Sequence, residues 1–137
     1  PGLRNTPFIS FHESQGTRDL AAFLATPAAI QFQAEHDWET VRAECRELVS
    51  ETRERINALT GLDSICPDSA EWFTQLAAIR LPDSVDVNAL KQKLYDEYSI
   101  EVPLYKWNEQ NFIRVSIQGY NSREDADALV EALAAIS

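Results

Sequence analysis

Sulfur is scarce in this chain of 137 residues, which has no methionine and two cysteines, Cys45 and Cys66. The cysteines form no CxxC pair, and His12 and His36 stand far from them in sequence, so the ligand spacing of a zinc site is missing. Cys45 falls on the apolar side of a helical pattern, where a thiol behaves as a small hydrophobe. Both cysteines are expected reduced and structural, and no metal is expected. A chain that starts at Pro1 and holds no methionine is also expected to have had something removed from its N-terminus.

Long apolar runs are missing too. None approaches the roughly 20 residues of a membrane span, and the opening "PGLRNTPF" lacks the basic-then-apolar order of a signal peptide. A soluble, cytoplasmic protein is the expectation. Positive charge is in deficit, with 12 lysines and arginines against 22 acids and a net charge of −10. That balance disfavours attraction to phosphate backbones and anionic lipid, so neither nucleic acid nor membrane is an expected partner. Much of the acid lies beside arginine, as in "ETVRAECRELVSETRERI", where Glu51 and Arg55 are one helical turn apart; this reads as a solvated face of weak ion pairs. The sequence also lacks GxSxG, a P-loop, HExxH and any carboxylate pair beyond those helical charges, so no catalytic residue is assigned.

What is present is ordinary globular composition, 45% hydrophobic and 25% charged, with no internal repeat. The length suits one core that buries roughly two thirds of the unfolded surface without a staple. "PGLRNTPFISFHESQG" reads as an extended arm over residues 1–16, with a strand around Pro7–Phe11. Thr17 is placed to cap a short helix, and Thr26 with Pro27 reads as the cap and first residue of a second one, the proline dividing the two. The clearest helix runs from Asp37 to about Leu59, with Trp38, Val41, Cys45, Leu48, Thr52, Ile56 and Leu59 at three- and four-residue spacing and Gly61 as its stop.

"WFTQLAAIRLP" alternates like a strand and ends at Pro82, and Asp86 caps a helix with Val87, Leu90, Leu94 and Tyr98 on one face. "IEVPLYKW" and "FIRVSI", joined by "NEQN", form an antiparallel hairpin with Pro103 marking an edge. Ser122 and Asp125 carry the capping-box pattern of a last helix striped by Ala126, Leu129, Val130, Leu133 and Ile136. The expected fold is α+β: a mainly antiparallel sheet of three or four strands with helices on one face, preceded by the arm and the first helices. Residues 17–137 are expected to form one small α+β domain, with 1–16 as an extended arm or linker leading into it.

Arg114 interrupts the apolar alternation of Ile113, Val115 and Ile117 and points the other way. From the residues alone it is either an exposed side chain on a half-buried strand or a binding group. The pairing of "QGTRDLAAFLATPAAI" near the start with "FIRVSIQGYNSREDADALVEAL" near the end resembles the C-terminal region of the class V aminotransferase family, which includes cysteine desulfurases and isopenicillin-N epimerase-like proteins. The resemblance covers nearly the whole chain. Ser14 departs from it, standing where many epimerase-like relatives carry tryptophan.

The resemblance implies fold type I of the pyridoxal phosphate enzymes, with Arg114 binding the carboxylate of an amino-acid substrate. It implies that Gly16 and Thr17 meet the cofactor phosphate across a homodimer. The cofactor lysine belongs to a preceding large domain, and Lys91, Lys93 and Lys106 are not in its setting, so the chain alone is expected neither to bind the cofactor nor to catalyse. Desulfuration, transamination, racemisation and elimination all remain open. The alternative is a free-standing α+β interaction or ligand-sensing module that shares only the architecture.

Overall fold

The computed structural model describes residues 6–13 and 16–136; residues 1–5, Ser14, Gln15 and Ser137 lie outside the described residues, and with them the departure at Ser14. The chain forms two compact units that meet in sequence between Trp38 and Glu39.

The first unit holds helix α1 (Pro7–Glu13) and helix α2 (Ala21–Glu35). Three expectations are corrected here. Residues 7–13 are helical rather than an extended arm or strand, because Thr6 caps them: its hydroxyl accepts from the Ile9 amide at 3.3 Å, and Pro7 takes the first helical position. Pro27 lies inside α2 and does not divide it. The ring forfeits one helical bond to the Phe23 carbonyl, while Thr26 donates its hydroxyl to the Ala22 carbonyl at 3.1 Å instead of capping a new helix. Thr17 is no cap either; α2 starts after Leu20, where Asp19 Oδ1 accepts from the Ala21 amide at 2.8 Å.

The second unit follows the order read from the sequence. Helix α3 (Trp38–Thr60) is followed by strand β1 (Leu76–Leu81), helix α4 (Val87–Tyr98), strands β2 (Leu104–Trp107) and β3 (Gln110–Ser116), and helix α5 (Arg123–Ile136). Each boundary has a local cause. Gly61 ends α3 at φ +68°, with its amide bonded to the Asn57 carbonyl at 2.8 Å. Asp86 Oδ1 caps α4 by accepting from the amides of Asn88 and Ala89 at 2.9 and 3.1 Å. Ser122 and Asp125 close the reciprocal capping box of α5. Asn108 and Glu109, at φ 47° and 61°, form the two-residue turn between β2 and β3, whose twist suits a tight hairpin.

The sheet is antiparallel in the order β1-β3-β2. Its register sorts side chains onto two faces. Ala77, Ile79 and Leu81 lie opposite Val115, Ile113 and Asn111, and this face packs with Cys45, Val49 and Ile56 of α3, Leu90 and Leu94 of α4, and Leu129, Val130 and Leu133 of α5. Ile56, Ile79, Leu94 and Ile113 are among the most completely buried side chains. Asn111 is polar but belongs in this core, because its amide donates to the carbonyls of Pro82, Asp83 and Val85 and so shapes the turn from β1 into α4. Ion pairs of Arg55 with Asp127 and of Arg123 with Glu51, the second at 2.6 Å, join the exposed sides of α3 and α5.

Candidate functional site

The second face of the sheet carries Leu76, Ala78 and Arg80 from β1, Tyr105 and Trp107 from β2, and Phe112, Arg114 and Ser116 from β3. Within the described residues of the second unit no helix covers it in the way α3, α4 and α5 cover the other face: Leu76 is 45% and Trp107 67% exposed. A strand that presents apolar residues to a core on one side must present its alternate residues here, so two arginines, a stacked aromatic group and small side chains share one surface.

Arg114 is exposed between the buried Ile113 and Val115, and its amide donates to the Pro103 carbonyl at 2.9 Å, which fixes the strand beneath it. Its cross-strand neighbour is Ala78, whose methyl leaves the guanidinium unobstructed on that side. Among the described residues no carboxylate pairs with it. An exposed guanidinium without a carboxylate partner has the chemistry to donate paired hydrogen bonds to an anion.

Beside it, Asp63, Ser64, Ile65, Ala78, Arg80, Tyr105, Trp107, Gln110 and Phe112 line a hollow of about 590 Å3. Tyr105 and Phe112 stack with centroids 5.6 Å apart, and Trp107 leans on Phe112 at 6.4 Å, giving an aromatic wall. The rim at Ser64 is anchored from within the core. Arg53, 4% exposed, donates Nε to Ser64 Oγ at 3.1 Å and Nη2 to the Cys66 carbonyl, and its guanidinium lies 4.8 Å from the Phe73 ring. Further along the same segment Asp68 accepts from Ser50 and Arg46. Those two bonds, Ser50's first, outweigh desolvation and hold the Asp68 carboxyl below the usual range.

A second hollow, of about 460 Å3, lies against Ile56, Leu59, Leu90, Leu133 and Ile136. It is walled mainly by apolar groups, and Asp86 at its edge is already engaged as the α4 cap. Convergent polar groups distinguish the sheet surface from it.

The phosphate residues inferred from sequence belong to the first unit. Gly16 has φ +66°, with no atom of the described residues beyond its chain neighbours within 4 Å of the position a side chain would take, and Thr17 is exposed next to it. Cys45 and Cys66 are both free thiols. Arg80 was missed in the sequence reading, although "AIRL" in β1 repeats the apolar-arginine-apolar signal of "FIRV" in β3. The aromatic wall could not be assembled from sequence because it needs the register of three strands.

Residues 10–129 match the family described as aminotransferase class-V. This chain belongs to the class V aminotransferases. Gly16, Thr17, Arg80 and Arg114 of this class V aminotransferase chain all fall inside the matched region. Isopenicillin N epimerase from Amycolatopsis lactamdurans is 38% identical over 125 residues, covering 91% of this chain and 31% of that protein. Isopenicillin N epimerase from Streptomyces clavuligerus is 34% identical over 133 residues, covering 97% and 33% respectively. The chain therefore spans about a third of the length of these curated relatives. The fold is shared with 8-amino-7-oxononanoate synthase from Francisella tularensis, at TM-score 0.60 and 19% identity over 80% of this chain and 31% of the other. Alanine–glyoxylate aminotransferase from Nostoc sp. aligns at TM-score 0.55 and 26% identity, over 67% of this chain and 24% of that one. The α+β architecture expected from the sequence is thus the architecture found, with three strands and with α1 in place of the arm.

Proposed function

We propose that this chain is the C-terminal small domain of a pyridoxal phosphate enzyme acting on an amino acid, and that Arg114 is the group that grips the substrate carboxylate. The observation that carries this reading is an exposed guanidinium without an acid partner, standing on the uncovered face of a sheet whose other face is a packed core. A planar guanidinium can hold a carboxylate by two parallel charge-assisted bonds, which fixes the direction of the α-carbon as well as its position. The central strand gives that fork a rigid base, because β3 is hydrogen-bonded on both sides.

The residues present suit part of a cofactor site. A left-handed glycine with open space around it, followed by an exposed threonine, fits a phosphate contact on the first unit, in keeping with a site shared across a homodimer. The lysines do not suit covalent attachment. Lys106 occupies the helix-side register of β2 and pairs with Glu109 at 3.0 Å, while Lys93 lies 4.0 Å from Glu97 on α4, which also carries Lys91. The lysine then belongs to a large domain preceding this region, and the chain alone binds and orients without catalysing. When bound in the complete protein, the cofactor supplies the electron sink for chemistry at the α-carbon.

The test is Arg114→Lys in the complete cofactor-loaded protein, assayed on an amino acid and on its decarboxylated amine. Loss of the two-point grip is worth about 1.5–3 kcal/mol, so catalytic efficiency on the amino acid should fall roughly tenfold to a few hundredfold with little change in folding. A variant that keeps its full preference for the carboxylate-bearing substrate removes Arg114 from the site.

A further inference from the structure

We infer that Arg53 is a positioning residue: from inside the core it sets one wall of the hollow on the uncovered sheet face, and so decides which amino-acid side chains fit there. The inference rests on the reading of Arg114 above and extends it to the rest of the substrate. The hollow begins at Ala78, the direct cross-strand neighbour of Arg114, and side chains of such a pair start roughly 4.5–5.5 Å apart, so an amino acid held at Arg114 has this space beside it for its own side chain. The sheet supplies most of the lining. The remainder, Asp63, Ser64 and Ile65, comes from the segment 61–75, which has neither helix nor strand to hold it in place.

That segment takes its place from α3. Arg46, Ser50, Arg53 and Asn57 recur at helical spacing and so lie along one side of the helix. Arg46 and Ser50 donate to Asp68, Asn57 donates Nδ2 to Ser64 Oγ at 2.6 Å, and Arg53 spans the middle with Nε on Ser64 and Nη2 on the Cys66 carbonyl. Arg53 is the most expensive member of this row. It is buried, it makes no ion pair among the described residues, and its Nη1 has no hydrogen-bond partner there. The Phe73 ring offsets part of that cost, yet an apolar side chain of similar volume would avoid it altogether. What Arg53 supplies in return is geometry, because two donors of one rigid plane fix both the distance and the direction of residues 64–66.

The test uses the complete cofactor-loaded protein and two probes that share the carboxylate and the α-carbon, racemic alanine and racemic norleucine, each titrated against the cofactor's absorbance. Norleucine should bind more tightly than alanine, and Arg53→Met, which keeps the bulk but not the fork, should cut that preference roughly tenfold. Ser64→Ala removes the acceptor shared by Arg53 and Asn57 and should cut it too, and the double variant should lose little more than the larger single loss, because both changes undo one contact. Arg53→Lys keeps the charge without the fork and should not restore the preference. The urea midpoint of Arg53→Met should not fall, while hydrogen exchange should quicken across residues 62–66 and stay unchanged in β1 and β3. A wild-type protein with no preference for norleucine, an Arg53→Met protein that keeps it, or one that loses it together with urea stability and protection of the sheet, overturns the inference. Arg114→Lys reports separately: if it leaves alanine binding intact, the carboxylate reading of Arg114 fails, whatever Arg53 does.

Discussion

Asn111 shows how one polar side chain can set local geometry from inside a core. It is 4% exposed, and its amide nitrogen serves three carbonyls of the turn between β1 and α4, the closest at 2.9 Å. Asn111→Ala removes the donor and leaves those carbonyls to find water, so stability should fall by about 2–3 kcal/mol in urea unfolding, with proteolysis increased near Pro82–Val85. Asp68 provides a test of a different kind. Its carboxyl is held below the ordinary range chiefly by Ser50 and then Arg46, so the folded state binds the proton less readily than the unfolded state does. The resulting stabilisation is present above the unfolded value, about 4, and is lost as pH falls through the folded one. Asp68→Asn should therefore flatten the acid limb of a stability-against-pH curve, and a variant with an unchanged limb contradicts this account.

At the scale of elements, what the sequence made legible were segments with a strong period and a chemical stop. The α3 pattern ended at Gly61, α4 began at Asp86, α5 began at the Ser122 box, and the β2–β3 hairpin closed at Asn108–Glu109, all signals within a few residues of the boundary they mark. The first unit offered weaker signals. In α2 apolar residues fall on every side, so no stripe opposed the division that Pro27 seemed to announce, and in α1 the Thr6–Pro7 cap was outweighed by short-range alternation. Arg114 could be picked out in the sequence because one strand shows it, whereas its position diagonal to Arg80 could not, because that juxtaposition exists only after β1 has found β3. The end of α4 leaves room for improvement. Ser99 sits at φ 56° while the amides of Ser99 and Ile100 bond back to the carbonyls of Tyr95 and Leu94, a conformation that glycine adopts without strain. Ser99→Gly should raise the unfolding free energy by about 0.5–1 kcal/mol with no change in the urea slope.

For the molecule as a whole, the two units differ in what holds them. The second has a continuous core from three helices and a sheet; none of the residues of α1 or α2 is buried, and Phe8, Phe11, Leu24 and Ile30 are each at least two thirds exposed. The apolar side chains of the first unit thus stand largely uncovered among the described residues, whereas those of the second close into a core. Among the described residues no helix is long and apolar enough to cross a membrane. The central position of β3 also sets an order of events in time. Its pairing with β2 needs only a two-residue turn, whereas its pairing with β1 must bring round all of residues 82–109, including α4 and β2. Closing the longer loop costs more chain entropy before any contact compensates, so the hairpin should be formed in the folding transition state and β1 should dock after it. Leu104→Ala in β2 should then act mainly by slowing folding, and Ile79→Val in β1, which removes about 0.5–1.5 kcal/mol, mainly by speeding unfolding. If stopped-flow chevrons assign Ile79 the larger φ-value, the sheet assembles from its long-range side. Under the order expected here, the pair of strands that sets Arg80 beside Arg114 is the last to close in folding and the first to open in unfolding.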